Sequence, residues 1–95
     1  MRIRWSQEAR EDVERLADFV APYDPVRADE IEQELSEAPK RLLRFARRGS
    51  RLSEFSPSEV REYRLGPYLL RYELLNAEII VLRFFHSRED HRPAV

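Results

Sequence analysis

The stretch from Glu59 to His86 constrains the fold more than any other part of the chain. It holds three strand-length segments separated by only two short breaks, Gly66-Pro67 and Asn76-Ala77. Two-residue connections join antiparallel neighbours, because a parallel crossover needs roughly a dozen residues or more. The segment therefore reads as a three-strand meander. Glu59 to Leu65 is its first strand. Gly66 supplies the positive φ and Pro67 the following negative φ of a type II′ hairpin. Tyr68, Leu70, Tyr72 and Leu74 share one face of the next strand, and Leu69, Arg71, Glu73 and Leu75 form a half-polar other face. Asn76, which tolerates positive φ, makes the second tight turn. Ile79-Ile80-Val81-Leu82 is apolar on both faces, so this strand is expected to be central and covered, running on through Arg83-Phe84-Phe85-His86.

Upstream the period lengthens. Ile3 and Trp5 alternate with Arg2 and Arg4 as a short strand, and Ser6 then offers a helix N-cap ahead of Glu8, Glu11 and Asp12. Ala9, Val13, Leu16, Ala17 and Val20 define the apolar stripe of a first helix, ended by Ala21-Pro22-Tyr23. Pairs such as Glu8/Asp12 and Glu11/Arg15 are assigned to its outer, solvated face. Asp24-Pro25 starts a second helix, with Asp as cap and Pro at the first helical position. Its stripe runs Ala28, Ile31, Leu35, Ala38, Leu42 and Phe45. Pro39 falls inside that stripe, which continues on both sides and so indicates a bend rather than a change of element. Gly49 is expected to be a left-handed cap, and residues 50–58 a loop. Together these give an α+β domain over residues 1–95: an N-terminal strand, an antiparallel helical hairpin packed on one face of an antiparallel sheet, and a C-terminal three-strand meander that completes it. The sheet's other face, carrying Arg side chains, is the candidate working surface.

Composition excludes several classes. There is no Cys, hence no disulfide framework, thiolate metal site or Cys nucleophile, which suits a reducing, cytoplasmic setting. No apolar run approaches the roughly 18 residues of a spanning helix, so no membrane association is expected. Gly49 and Gly66 are the only glycines, too few for a Gly-rich phosphate loop. His86 and His91, five apart, do not make a metal pair, and no metal or cofactor is expected. The net charge of −1 conceals a division. Residues 1–40 carry six Lys/Arg and eleven Asp/Glu, whereas residues 41–95 carry eleven Arg and seven Asp/Glu. Such a basic half either solvates the surface or receives an acidic partner or a nucleic acid.

Arg61, Arg64, Arg71, Arg83, His86 and Arg88 lie on or beside paired strands, so several are expected to converge on one side of the sheet. A metal-free ribonuclease needs a base for the 2′-hydroxyl proton, an acid for the leaving oxygen and cations for the phosphorane charge. Arg side chains would supply the cations and His86 one proton transfer. Glu54, Glu62 or Glu73 would supply the other, and nothing in the spacing singles one out.

The order strand, helical hairpin, meander carries further local likenesses. They are Ile3-Arg4-Trp5-Ser6 with Ala9 and Val13; Ala28, Ile31 and Leu35; Gly49 with Glu54; Val60-Arg61-Glu62-Tyr63-Arg64-Leu65; Tyr68 to Tyr72; and Ile80 to Asp90. In these the chain resembles the RelE/ParE superfamily, the toxin halves of type II toxin–antitoxin modules, some of which stabilise plasmids. The mRNA-cleaving, RelE-like members commonly carry Lys-rich or Glu/Arg/His sets and a Tyr near the C-terminus. Here no Lys follows Lys40 and Ser87 follows His86, and the ending Leu82 to Asp90 looks more like the ParE branch. Pro39 departs from the simplest family pattern.

The ParE-like resemblance implies a DNA gyrase poison neutralised by direct binding of a cognate antitoxin, with no catalytic residue, no cofactor and no sequence-specific nucleic-acid binding. Arg61, Arg64, Arg83 and Arg88 would then be target contacts. A groove between the helical hairpin and the sheet, edged by Leu16, Phe19, Val20 and Tyr23, would take an antitoxin helix, and the edge strand at Ile3 and Trp5 could accept a partner strand. The RelE-like alternative makes the chain a ribosome-dependent mRNA endoribonuclease using His86, Arg71, Arg88 and Glu54.

Overall fold

Ser6 ends one element and begins another. Its backbone N–H still pairs with Val81 O (2.9 Å), while its hydroxyl accepts from Ala9 N–H (3.0 Å) and donates to Leu82 O (2.7 Å). In the computed structural model, which describes residues 1–92, it separates strand β1 (Arg2–Trp5) from helix α1 (Gln7–Val20). Asp24 caps helix α2 (Pro25–Glu37), accepting from Arg27 N–H at 3.0 Å with Pro25 in the first turn. Four strands follow: β2 (Ser50–Arg51), β3 (Glu59–Leu65), β4 (Tyr68–Leu74) and β5 (Glu78–His86).

Beyond α2 the helix does not merely bend. Pro39 has no N–H to offer Leu35 and crowds the preceding turn, so the chain tightens into a 3-10 segment over Ala38–Leu43. The apolar stripe ends with it. Leu42 is fully buried, but Phe45 lies outside at 54% exposure. The expected loop 50–58 also contains structure, since Ser50 and Arg51 pair with Glu62 and Arg61 and a short 3-10 turn follows at Ser53–Phe55.

The five strands are ordered β1-β5-β4-β3-β2, antiparallel except that β1 runs parallel to β5. The α+β architecture and the meander hold as read from the sequence. Gly66 has φ +58°, as its hairpin requires. Asn76 does not, because no residue other than glycine has positive φ among the described residues; that turn closes through Leu75 N–H to Glu78 O (2.9 Å). The strand covered on both faces is β4 rather than β5, with six of its seven residues buried. On the helix side, Leu70, Tyr72, Ile79, Val81 and Phe84 pack with Ala9, Val13, Leu16, Ile31, Leu35 and Leu42.

Register, not composition, decides which face each polar side chain takes. Arg71 lies opposite Arg83, but Tyr72 lies opposite Val81, so Leu82 is a bulged residue in β5. The extra residue resets the alternation. Phe84 and His86, opposite Leu70 and Tyr68, face the helices, while Arg83 and Phe85 face outward.

Gly49 is not a left-handed cap, since its φ is not positive. It is required by proximity: an added Cβ would stand 2.6 Å from Glu62 O and 2.8 Å from the Tyr72 hydroxyl. That hydroxyl is fixed, donating to Ala46 O (2.7 Å) and accepting from Gly49 N–H (3.0 Å). Gly49→Ala is expected to cost about 1–3 kcal/mol, lowering the melting temperature by about 5–15 °C; thermal unfolding followed by circular dichroism measures it.

Candidate functional site

β1 is only four residues long, so beyond Ser6 one edge of β5 has no neighbouring strand. Asp12 of α1 occupies that place. Its carboxylate accepts from Phe84 N–H (2.9 Å), from Arg83 Nε (2.7 Å) and Nη2 (3.0 Å), and from Arg15 Nη2 (3.2 Å). At 3% exposure Asp12 is not part of a solvated face. Burial is the largest influence on its pKa and acts upward. The hydrogen bonds from Arg83, the Phe84 amide and Arg15 together outweigh it and hold the group below its ordinary value.

On the outer face a row of rings and guanidinium groups alternates. The Arg71 guanidinium lies 5.5 Å from the centre of the Phe55 ring and 4.9 Å from that of Phe85, and Arg83 lies 4.8 Å from Phe85. Arg71 also donates twice to Glu62 Oε2 (3.0 and 2.6 Å) and once to His91 O. Only 7% exposed, it is neutralised, stacked and covered, so this part of the outer face is no open cationic surface.

His86 sits across the sheet, its ring edge-on to Tyr68 at 5.5 Å. Its Nδ1 accepts from Arg88 N–H (3.1 Å), and its own backbone N–H donates to Glu89 Oε1 (2.8 Å). Glu89 in turn accepts from Arg15 (2.6 Å).

The expected convergence of cations is partial. Arg64, Arg71 and Arg83 register on the outer face, whereas Arg61, opposite Tyr72, and His86 register on the helix side. Arg61 donates to Glu59 (2.9 Å) and to Gly49 O (2.6 Å), joining β3 to the segment after α2. Glu59 also accepts from Arg47, and the bonds from Arg47 and Arg61 hold its pKa below the ordinary value. Glu54 is exposed on the Ser53–Phe55 turn. Arg71, His86, Arg88 and Glu54 thus form no single constellation.

The apolar candidates also divide. Ile3 and Trp5 are half-buried on the open edge strand, with Trp5 5.4 Å from Phe84. Leu16 is buried and Val20 half-buried against the core, while Phe19 and Tyr23 project at the tip of the helical hairpin with 79% and 87% exposure. The four do not line one groove. A groove between the helices has Trp5 and Val13 in it and is walled by Arg10, Glu14, Asp18, Glu32 and Ser36. Among the described residues no cluster of His, Asp or Glu could hold a metal ion, and no helix is long and apolar enough to cross a membrane.

Residues 3–91 match the family model described as "ParE toxin of type II toxin-antitoxin system, parDE". The chain belongs to the ParE toxins. A solved chain of the chromosomal ParDE TA system from P. aeruginosa superposes on this ParE toxin with a TM-score of 0.75 at 25% identity, over 90% of this chain and 95% of that one. No curated relative matches the sequence.

Asp12 is the residue the sequence reading misplaced. It lies three residues after Ala9 and four before Leu16, inside the apolar stripe, and that position was the available signal. Asp12→Asn is expected to lose about 2–4 kcal/mol at neutral pH, because it weakens the bonds to Arg83 and leaves buried donors poorly matched. A group whose folded pKa is depressed contributes above its unfolded value of about 4 and loses that contribution as pH falls through the folded one. The stability gap between wild type and Asp12→Asn should therefore shrink steadily below about pH 4 in denaturant titrations.

Proposed function

We propose that this ParE toxin is neutralised by direct binding of a cognate antitoxin and acts on DNA gyrase by occupying it, without making or breaking bonds itself. One observation carries the non-catalytic reading: the two residues best suited to phosphoryl transfer are held apart. Arg71 is sequestered between Phe55 and Phe85 and paired to Glu62, while His86 lies on the opposite face with Nδ1 engaged by a backbone amide. Charge stabilisation at a phosphorane needs cations free to approach it, and Arg71 is not. The absence of a Lys after Lys40 and of a Tyr after His86 agrees with this. Of the proposed target contacts, Arg64 and Arg88 make no carboxylate contact among the described residues, whereas Arg61 and Arg83 are engaged by Glu59 and Asp12.

For the antitoxin, two surfaces are available. Strand β1, with Ile3 and Trp5, has an open edge that an incoming strand can extend. Phe19 and Tyr23 offer apolar anchors of the kind a segment that folds on binding needs to offset its ordering cost. Leu16 and Val20 support that tip from beneath.

With purified gyrase the protein is expected to inhibit supercoiling or to trap cleaved DNA, and with translating ribosomes to leave mRNA intact; His86→Ala should change neither result. Transcript cleavage that disappears in His86→Ala would instead establish the ribonuclease reading. Phe19→Ala with Tyr23→Ala should weaken antitoxin binding at least about tenfold, near 1.4 kcal/mol, with the melting temperature unchanged because both side chains are exposed. Isothermal titration calorimetry and a thermal scan read the two effects separately.

A further inference from the structure

Lys40, Arg41, Arg44, Arg47, Arg48 and Arg51 fall within twelve residues with no acidic residue among them. Their partners divide them. Arg47, Arg61, Arg71 and Arg83 each hold a carboxylate, and Lys40 holds Glu37. Among the described residues Arg41, Arg44, Arg48, Arg51 and Arg64 hold none. Three of these five gather around two rings. The guanidinium groups of Arg44 and Arg48 lie 5.8 and 5.4 Å from the centre of the Phe45 ring, and Arg48 lies 5.6 Å from that of Tyr63 and donates to its hydroxyl at 3.2 Å. That bond first, and the nearby Arg41 after it, draw the Tyr63 hydroxyl's pKa below its ordinary value. A shallow groove lined by Arg48, Ser50, Tyr63 and Arg64 carries the positive surface round the β3 edge to the outer face. Glu62 also lines this groove, but its carboxylate is taken by Arg71.

We propose that this Arg41–Arg51 segment, with Tyr63 and Arg64, binds the phosphodiester backbone of duplex DNA without reading its sequence. Stacking on a ring holds a guanidinium plane in place and leaves its N–H fork free for the bidentate contact that phosphate oxygens accept. The choice of occupant follows from what the patch lacks. A disordered acidic peptide must order itself on binding and needs apolar anchors, yet the two rings here are stacked by arginines and Leu43 is the main uncovered aliphatic side chain. A single strand gains most by stacking its bases on free aromatic faces, whereas the Phe45 and Tyr63 rings already have guanidinium groups at 5.4 to 5.8 Å. A duplex presents closely spaced charges already fixed in place, so cations alone can hold it.

The test is fluorescence anisotropy of a labelled duplex of arbitrary sequence, about two helical turns long, titrated with the intact protein between 50 and 200 mM salt. The expected result is salt-sensitive binding, with log K falling against log salt at a slope of about −4, as four or five phosphate contacts require. Arg44→Gln, Arg48→Gln and Arg64→Gln combined should bring that slope toward −1 and reduce affinity at 50 mM salt at least about tenfold. Arg44→Gln with Arg64→Gln alone touches no side-chain hydrogen bond to another residue's side chain, and should still reduce the slope by about two. Arg10→Gln with Arg88→Gln, which removes two arginines elsewhere that hold no carboxylate among the described residues, should change affinity less than twofold. Absence of binding at 50 mM salt, an equal loss in the Arg10/Arg88 variant, or tighter binding to single-stranded RNA would each overturn the proposal. So would a triple variant that loses antitoxin affinity while keeping DNA binding. The assay contains no gyrase, so its outcome is independent of the target proposed above.

Discussion

Phe84 lies on the central apolar face of the sheet, but its amide points to an edge that no strand covers. A buried amide with no acceptor would cost about 1–3 kcal/mol, and Asp12 supplies the acceptor from the helix packed beside it. One carboxylate thereby stands in where β1 is too short to reach, ties α1 to β5, and anchors the far end of the outer-face row through Arg83. Buried ion pairs gain stability only when their hydrogen-bonding capacity is filled. Here four donors converge on Asp12, and no buried side-chain polar atom among the described residues lacks a partner. The helix layer, the open edge of the sheet and the outer face meet at this point.

Where a residue type has one local consequence, the sequence was sufficient. Ser6 and Asp24 cap helices, Gly66 turns a hairpin with positive φ, and the boundaries of β3 follow from its flanking turns. Where the consequence depends on distant geometry, it was not. Pro39 forbids one hydrogen bond wherever it stands, but whether the chain bends or tightens depends on what Leu42 must pack against. Gly49 signals a glycine requirement, yet the reason is the carbonyl of Glu62, thirteen positions away. The candidate site suffered most. A single bulged residue, invisible in the alternation of a strand apolar on both faces, decided which cations share a surface.

The distribution of charge also reads differently once partners are known. Arg71, expected to serve catalysis in the ribonuclease alternative, and Arg83, expected as a target contact, are each held by a carboxylate and a ring. Arg41, Arg44, Arg48 and Arg51, by contrast, hold no carboxylate among the described residues, although Arg47 beside them holds Glu59. In a chain with 17 basic and 18 acidic side chains, overall balance is near zero, and what distinguishes one arginine from another is whether a carboxylate already lies beside it.

The bulge at Leu82 has one more effect. It places the two halves of β5 out of phase, so the half beside β1 and the half beyond it are matched to their surroundings by separate rules. On the near half Ile79 and Val81 turn toward the helices, and on the far half Phe84 and His86 do. One continuous strand thus keeps Phe84 in the interior and Arg83 at the exterior, which an unbroken alternation would have exchanged.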